Sequence, residues 1–442
     1  MQISGKWILT ARVFLPFAAG YYLSYLFRTI NALIASHLSS DAGLGTADLG
    51  LLTSVYFLVF AAAQIPVGIL LDRFGPRRVQ SVLLLLAAAG AGLFAVSTSF
   101  LSLLIARAMI GLGVAAALTA GLKAIILWFP RERVALLNGY MIMLGSLGAV
   151  TATDPLEHLL TWMSWRPLFE ILAAATGVTA ILIYVMVPER PIVPSTAHAT
   201  LGSVFGDRRF WRIAPLSATC IGSAWSLQGL WASPWLTDVE GLDRASLVRQ
   251  LLTMSIVLSC GAWLFGTTVH YIKRRGIGAE TILVMVAVLF VAAELALILR
   301  APLPSIVPWS VVAIVATATV ASFAVIADYF PPELAGRANG ALNVLHFGWA
   351  FLAQFGTGLI LEEWSANDGR RPVQAYQVAF GLSVALQIAA LVWFVLPSRR
   401  SFSSWMSSIL FFKPADASYA VESVGVYEDS VILVSADDDA EW

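Results

Sequence analysis

Of the chain's 442 residues, 59% are hydrophobic and only 12% are charged. Soluble domains carry about a quarter charged residues, so the composition excludes a water-soluble protein and marks an integral membrane protein. The 27 basic residues balance the 27 acidic ones, which argues against a nucleic-acid partner.

A membrane helix takes about 20 apolar residues. Such runs fall at roughly 14–37, 49–71, 79–99, 102–128, 136–156, 168–188, 211–236, 250–272, 278–299, 305–328, 338–361 and 374–396, which predicts an all-α protein with twelve transmembrane helices. With both termini cytoplasmic, most Lys and Arg fall on the inner side, as the positive-inside bias requires. Arg28, Arg107 and Lys123 stay within the spans. The first run is too long for a cleavable leader and lacks a small-residue cleavage site, so it is expected to act as its own insertion signal. Cys220 and Cys260 fall inside spans and say nothing about redox compartment.

The first span holds Tyr21, Tyr25 and Arg28 at i, i+4 and i+7, on one helical face flanked by Ser24 and Asn31. A charge at that depth costs about 2.5–3.5 kcal/mol on insertion scales. A guanidinium holds carboxylate or phosphate in a bidentate fork, so Arg28 reads as a substrate anchor; the alternative is an acidic neighbour or snorkelling.

Between the second and third spans runs Gly68-Ile-Leu-Leu-Asp72-Arg73-Phe-Gly75-Pro76-Arg77-Arg78. This predicts a tight cytoplasmic hairpin in which Gly75 supplies the turn and Gly68 admits a neighbouring helix. The fourth span carries Arg107, Gly111 and Gly113, with Lys123 nearer its end; the fifth has Gly145 and Gly148, then Asp154, Glu157 and His158. The glycines suit close helix packing, and the acids and His158 equally suit an exposed rim.

Residues 189–209, with Pro191, Pro194 and a polar run, read as a cytoplasmic linker. Gln228 in the seventh span requires a polar partner, which favours a cavity. Glu294 lies near the outer end of the ninth span. In the eleventh, Asn339, Asn343, His346 and Gln354 form one polar stripe, either glue between helices or a cavity wall, and His346 titrates near neutrality when unperturbed. Beyond Arg400 an apolar, aromatic stretch precedes an acidic end expected to be disordered.

An internal repeat divides the chain. Residues 129–139, Phe-Pro-Arg-Glu-Arg-Val-Ala-Leu-Leu-Asn-Gly, and 330–340, Phe-Pro-Pro-Glu-Leu-Ala-Gly-Arg-Ala-Asn-Gly, agree at Phe, Pro, Glu, Asn and Gly. A weaker copy of the hairpin motif spans Gly266–Gly276, with His270 in place of Asp72. The repeat predicts two six-helix bundles, 1–188 and 210–398, joined by the linker and followed by the tail 399–442.

Gly68, Asp72, Arg73, Gly75, Arg77 and Arg78 resemble the signature loop between the second and third helices of the major facilitator superfamily, departing at Pro76, where that family often has another base. The resemblance implies alternating access by rocking of two bundles around a midplane site. The segment Tyr-Leu-Ser-Tyr-Leu-Phe-Arg ending at Arg28 is similar to the first helix of organic-anion transporting members, and the Arg107, Gly111, Gly113 spacing to that of proton-coupled ones. The fifth span lacks the Gly-Pro motif of drug/proton antiporters.

The expectation is a plasma (inner) membrane secondary transporter of a small organic anion, carboxylate or phosphate in type. It is expected to be proton-coupled and monomeric, with no cofactor, no metal and no enzymatic activity. Arg28, Tyr21, Tyr25, Gln228, Asn343 and His346 are its substrate-site candidates, and Arg107, Asp154 and His346 its proton-coupling candidates. A drug or cation exporter of the same superfamily and a non-transporting solute sensor are the competing classes. The exporter would favour acids over Arg28 in the cavity, and the sensor would bind without accumulating solute.

Overall fold

The computed structural model describes residues 9–189, 201–275, 277–330, 332–366 and 370–396. Most of the linker and all of the tail lie outside them, as does the His270 side chain. No β-strand occurs among the described residues, and each apolar run above is filled by helix. Among the described residues, seven helices are long and apolar enough to cross a membrane.

Helix α1 (Leu15–Ala42) opens with Pro16 in its first turn and stops at Gly43, whose φ of 62° is the left-handed cap that glycine adopts freely. Helix α2 (Thr46–Val96) is interrupted at Gly75 (φ 77°, ψ 166°), directly before Pro76. The chain doubles back there. Tyr56 lies before the break and Ala87 after it, yet both press on neighbouring glycines of α3 (Phe100–Val114): a Cβ on Gly111 would lie 2.7 Å from the Tyr56 carbonyl, and one on Gly113 would overlap Ala87 N and the Leu83 carbonyl. In a straight helix those residues would be about 46 Å apart. The second and third spans are therefore two arms of α2, and Gly75 is their turn.

Gly113 admits no side chain, because the obstructing atoms are backbone. Gly113→Ala is expected to lower stability by about 1–3 kcal/mol, read as a lower unfolding midpoint in detergent. Gly92→Ala is the control, since its Cβ would meet only Ala173 at 3.9 Å, and its midpoint should not fall.

Helices α4 (Ala117–Trp128), α5 (Arg131–Thr151), the short α6 (Asp154–Leu160) and α7 (Trp165–Met186) complete the N-terminal part. After α8 (Leu201–Phe205) come α9 (Arg208–Ser226), a π-helical turn (Leu227–Trp231), α10 (Ala232–Asp238), α11 (Arg244–Arg274), α12 (Ala279–Ile298), α13 (Ile306–Val315), α14 (Thr319–Tyr329), α15 (Pro332–Glu362) and α16 (Val373–Val395). Asp207 caps α9 through the Arg209 N–H, and the Arg209 guanidinium holds its carboxyl below the usual carboxylate range.

The repeat recurs in the backbone. Helices α4 and α14 each continue an interrupted helix, and each ends on the repeat's phenylalanine in extended conformation, Phe129 at φ −113°, ψ 152° and Phe330 at φ −117°, ψ 144°. Proline follows both, and a residue before proline is driven out of the helical region. The same two letters thus stop two helices in the same way.

The N- and C-terminal parts meet along α15 and the first arm of α2. Glu362 accepts from Thr46 N at 2.8 Å and Ala47 N at 3.2 Å, capping α2 from 316 residues away. Deeper in, Gly358 packs on Gly50, Gln354 Nε2 donates to Thr53, and Phe347 lies 4.1 Å from Phe60 between ring centroids. Arg244 of α11 adds a fork onto Glu157 of α6 (2.7 and 2.5 Å) and a bond to the Leu33 carbonyl. At the other end of these helices Gly68, Gly139, Gly336 and Gly340 have no foreign atom within 4 Å of a built Cβ. The two parts are closed at the Glu362 end, and these four glycines face open space toward the Asp72 end.

Candidate functional site

Arg28 lies where the two parts meet, well down from the Glu362 seal. Its guanidinium carbon stands 4.5 Å from the Tyr25 ring centroid on its own helix, 5.0 Å from Trp225 of α9 and 5.5 Å from Phe347 of α15. The residue is 8% exposed, its Nε has no acceptor, and no carboxylate of the described residues lies within ion-pair distance. Each aromatic face contributes about 0.5–2 kcal/mol of cation–π attraction, but ring faces take none of the five N–H donors in the fork geometry a carboxylate would. The site holds a desolvated cation in place with donor capacity left over, which is what anion recognition requires.

Its support is local. Tyr21 and Tyr25 meet edge-on at 5.2 Å, and Gly145 of α5 leaves room for the Tyr21 ring, which a Cβ there would overlap. Tyr56 donates to the Ser24 carbonyl at 3.4 Å and lies under the next buried cation: Arg107, fully buried, is 5.5 Å from the Tyr56 ring and donates to the Phe27 carbonyl at 3.3 Å. The π turn of Leu227–Trp231, whose wider winding marks many functional sites, carries Gln228. That side chain is 9% exposed with its Nε2 unpartnered, and it lines a small cavity with Thr29, Thr153 and Ser255.

The polar stripe of α15 does not stay together. His346 turns into the C-terminal helices, with Nε2 2.6 Å from Ser217 Oγ, itself 2.6 Å from Ser322 Oγ, and is fully buried. Gln354 faces α2, Asn343 is half-buried one turn from Phe347, and Trp225 touches both Arg28 and His346. Asp154 is exposed at the start of α6. In a background with Cys220 and Cys260 replaced by Ala, a cysteine at 343 should react with a small polar thiol reagent and one at 346 should not. Labelling at 346 with none at 343 would reverse this assignment of faces.

The Asp72–Arg78 motif lies apart from Arg28, at the end opposite Glu362. Lys123 reaches out of α4 to pair with Asp72 at 2.6 Å and the Leu71 carbonyl at 2.8 Å. Arg77 donates to the Tyr184 carbonyl at 2.8 Å and Arg78 pairs with Glu189, while Arg73 stacks near Phe74 at 5.2 Å. Gly68 faces open space, so it admits no helix in this conformation.

Tyr56, Trp225 and Phe347 complete the site but carry no spacing signal of their own. Phe347 sits beside His346 in sequence, and this was the one available hint.

The model of the Major Facilitator Superfamily matches residues 17–354. A hexuronate transporter of Escherichia coli (strain K12) is 26% identical over 259 residues, covering 54% of this chain and 59% of that protein. The probable sulfoacetate transporter SauU of Cupriavidus necator is 25% identical over 246 residues, covering 51% and 57%. The matched part thus spans less than two thirds of these relatives. Among solved structures, a bacterial homolog of the human lysosomal transporter Spinster, inward-facing and unoccupied, aligns with a TM-score of 0.66 at 19% identity, over 92% of this chain and 99% of that one. The family match runs across both repeat copies and through every helix that meets Arg28, and the chain belongs to the Major Facilitator Superfamily.

Proposed function

We propose that this protein is a secondary active transporter of a small organic acid anion, working by alternating access with proton coupling. The observation that carries the reading is Arg28, a buried, carboxylate-free guanidinium clasped by rings from both parts of the chain. The names of the matched relatives, whose cargoes are organic acids, support the same class. Twelve helices in two bundles, 1–188 and 210–398, follow from the repeat and the two-armed α2. Both termini are cytoplasmic on the positive-inside reading, so the Glu362 end is the outer end and the structure is the inward-open state. The membrane is the plasma (inner) membrane, and the working unit is one chain.

In this cycle the anion enters from the outer side, its acid group takes the Arg28 fork, and closure of Glu362 onto α2 follows. Asp72, paired with Lys123 in the present state, changes partner when the inner end closes. Asp72→Asn should leave substrate affinity within about threefold, since exposed pairs are worth about 0.2–1 kcal/mol, while slowing transport; equal transport rates would reduce the motif to a topology signal.

Uptake of labelled hexuronates, sulfonates, organic phosphates and a cationic drug into vesicles tests the function. Accumulation of an acid under an inward proton gradient is the expected result. Accumulation of the cation alone would favour the exporter class, and binding without uptake a sensor.

A further inference from the structure

Glu294 of α12 is fully buried, and neither carboxyl oxygen has a hydrogen-bond partner or a cation among the described residues. A carboxylate in that position would be an isolated buried charge, which costs far more than holding a proton. Its polar neighbours are Gln387 and Ser383 of α16. A hydrogen-bonded group extends from them: Gln387 Nε2 donates to Ser383 Oγ at 2.9 Å, Ser383 Oγ donates to Ser223 Oγ of α9 at 3.1 Å, and Trp349 Nε1 of α15 donates to the same Ser223 Oγ at 2.9 Å. Trp349 follows Phe347, which touches Arg28, by two residues and so lies on the opposite face of α15. Ser223, Ser383 and Trp349 also line a cleft between α9, α15 and α16 whose remaining walls are mostly apolar.

Among the described residues, the packed elements place no competing charge beside Glu294. Helix α13 has no ionisable residue, and Asp328 and Tyr329 of α14 lie with Arg208, Arg209 and Arg212 of α9 at the Glu280 end, about 21 Å away along the helix. Tyr376 of α16 is engaged with Asp238, and Arg244 of α11 with Glu157. Arg249 of α11 binds Ser246, and Cys260 is exposed; α11 side chains 262–274 lie outside the described set. The ionisable neighbour is the Cys220 thiol of α9.

We infer that Glu294 is the site of the coupling proton, a neutral carboxyl buried among the C-terminal helices beside the hydroxyl pair Ser383 and Ser223. This rests on the proton-coupled reading above. In the cycle the O–H bond of Glu294 breaks toward a water at Ser383, leaving the carboxylate and a hydrated proton; reloading reverses the step. Because α15 carries both Phe347 and Trp349, a substrate that shifts α15 through Phe347 also shifts the Trp349 bond to Ser223.

Infrared difference spectra of the purified protein test the carboxyl directly. The C=O band of a protonated carboxyl is expected at neutral pH, shifted in deuterated buffer, displaced in Glu294→Asp and lost in Glu294→Gln; the same band in all three proteins overturns the inference. In vesicles with galacturonate as probe, Glu294→Gln should exchange substrate within about threefold of the unaltered rate, move no protons, and lose at least tenfold in gradient-driven accumulation. Proton movement in Glu294→Gln equal to the unaltered protein overturns the site and leaves coupling intact. Substrate uptake without proton movement in the unaltered protein overturns coupling itself, and this inference with it.

Discussion

Replacing Arg28 by Gln is expected to abolish measurable transport and weaken substrate binding by at least about 30-fold, because removing one partner of a buried charge pair costs about 2–5 kcal/mol and each 1.4 kcal/mol is tenfold. Arg28→Lys keeps the charge but replaces a planar fork by a point donor, and the stronger hydration of the ammonium weakens its contact with Tyr25, Trp225 and Phe347. Its affinity should fall between the other two. Folding is not the cause, since Arg28 makes no ion pair whose loss would strand a carboxylate. Circular dichroism and elution volume should match the unaltered protein in both variants, and equal affinity in all three would remove Arg28 from the site.

The second large effect is expected at the outer seal. Glu362 supplies an acceptor and a negative charge to the first turn of α2, both of which favour a helix N-terminus. Arg371 lies 3.5 Å from it and holds it in place. The Arg244–Glu157 fork closes the same end from α11 to α6. An N-cap is worth about 0.5–2 kcal/mol and a charged hydrogen bond about 1.5–3 kcal/mol, so Glu362→Ala with Arg244→Ala should shift the balance by about 2–4 kcal/mol, a factor of roughly 30 to 1,000. Spin labels at the exposed positions Ser40 and Ser365 report the distance across this end. A new, longer population in the double variant is expected, and an unchanged distribution would mean that the seal is held by the Gly50–Gly358 and Phe60–Phe347 contacts alone.

What sequence could and could not reveal follows from the range of each signal. Gly75 was legible because glycine alone takes its positive φ freely, and the pair Phe129 and Phe330 because a following proline drives each out of the helical region. Arg28 was legible because a guanidinium in an apolar run contradicts its surroundings. Trp225 and Phe347 were not, since an aromatic residue in a membrane span fits lipid, packing and a ligand equally well, and only the fold shows which ring crosses to the other part. The stripe on α15 reads as one surface in sequence, yet helices of both parts pack around it, so His346 and Gln354 diverge toward Ser217 and Thr53. Glu362 reaching Thr46 is a contact across 316 residues, which no local pattern encodes. Glu294 reads in sequence only as a residue near the outer end of its span, because a span apolar on all faces gives no sign of which side is buried.

Thermal unfolding of the purified protein against matched pairs of ligands tests the central claim, that Arg28 holds the substrate's acid group. Galacturonate, glucuronate and sulfoacetate would be compared with the corresponding carboxyl methyl esters, because a ligand that binds the folded state raises the midpoint in proportion to its occupancy. At least one acid should raise the midpoint, its ester should not where the carboxylate is the bound group, and the rise should vanish in Arg28→Gln. A neutral ester that stabilises as strongly as its acid, or an undiminished shift in Arg28→Gln, would contradict the account.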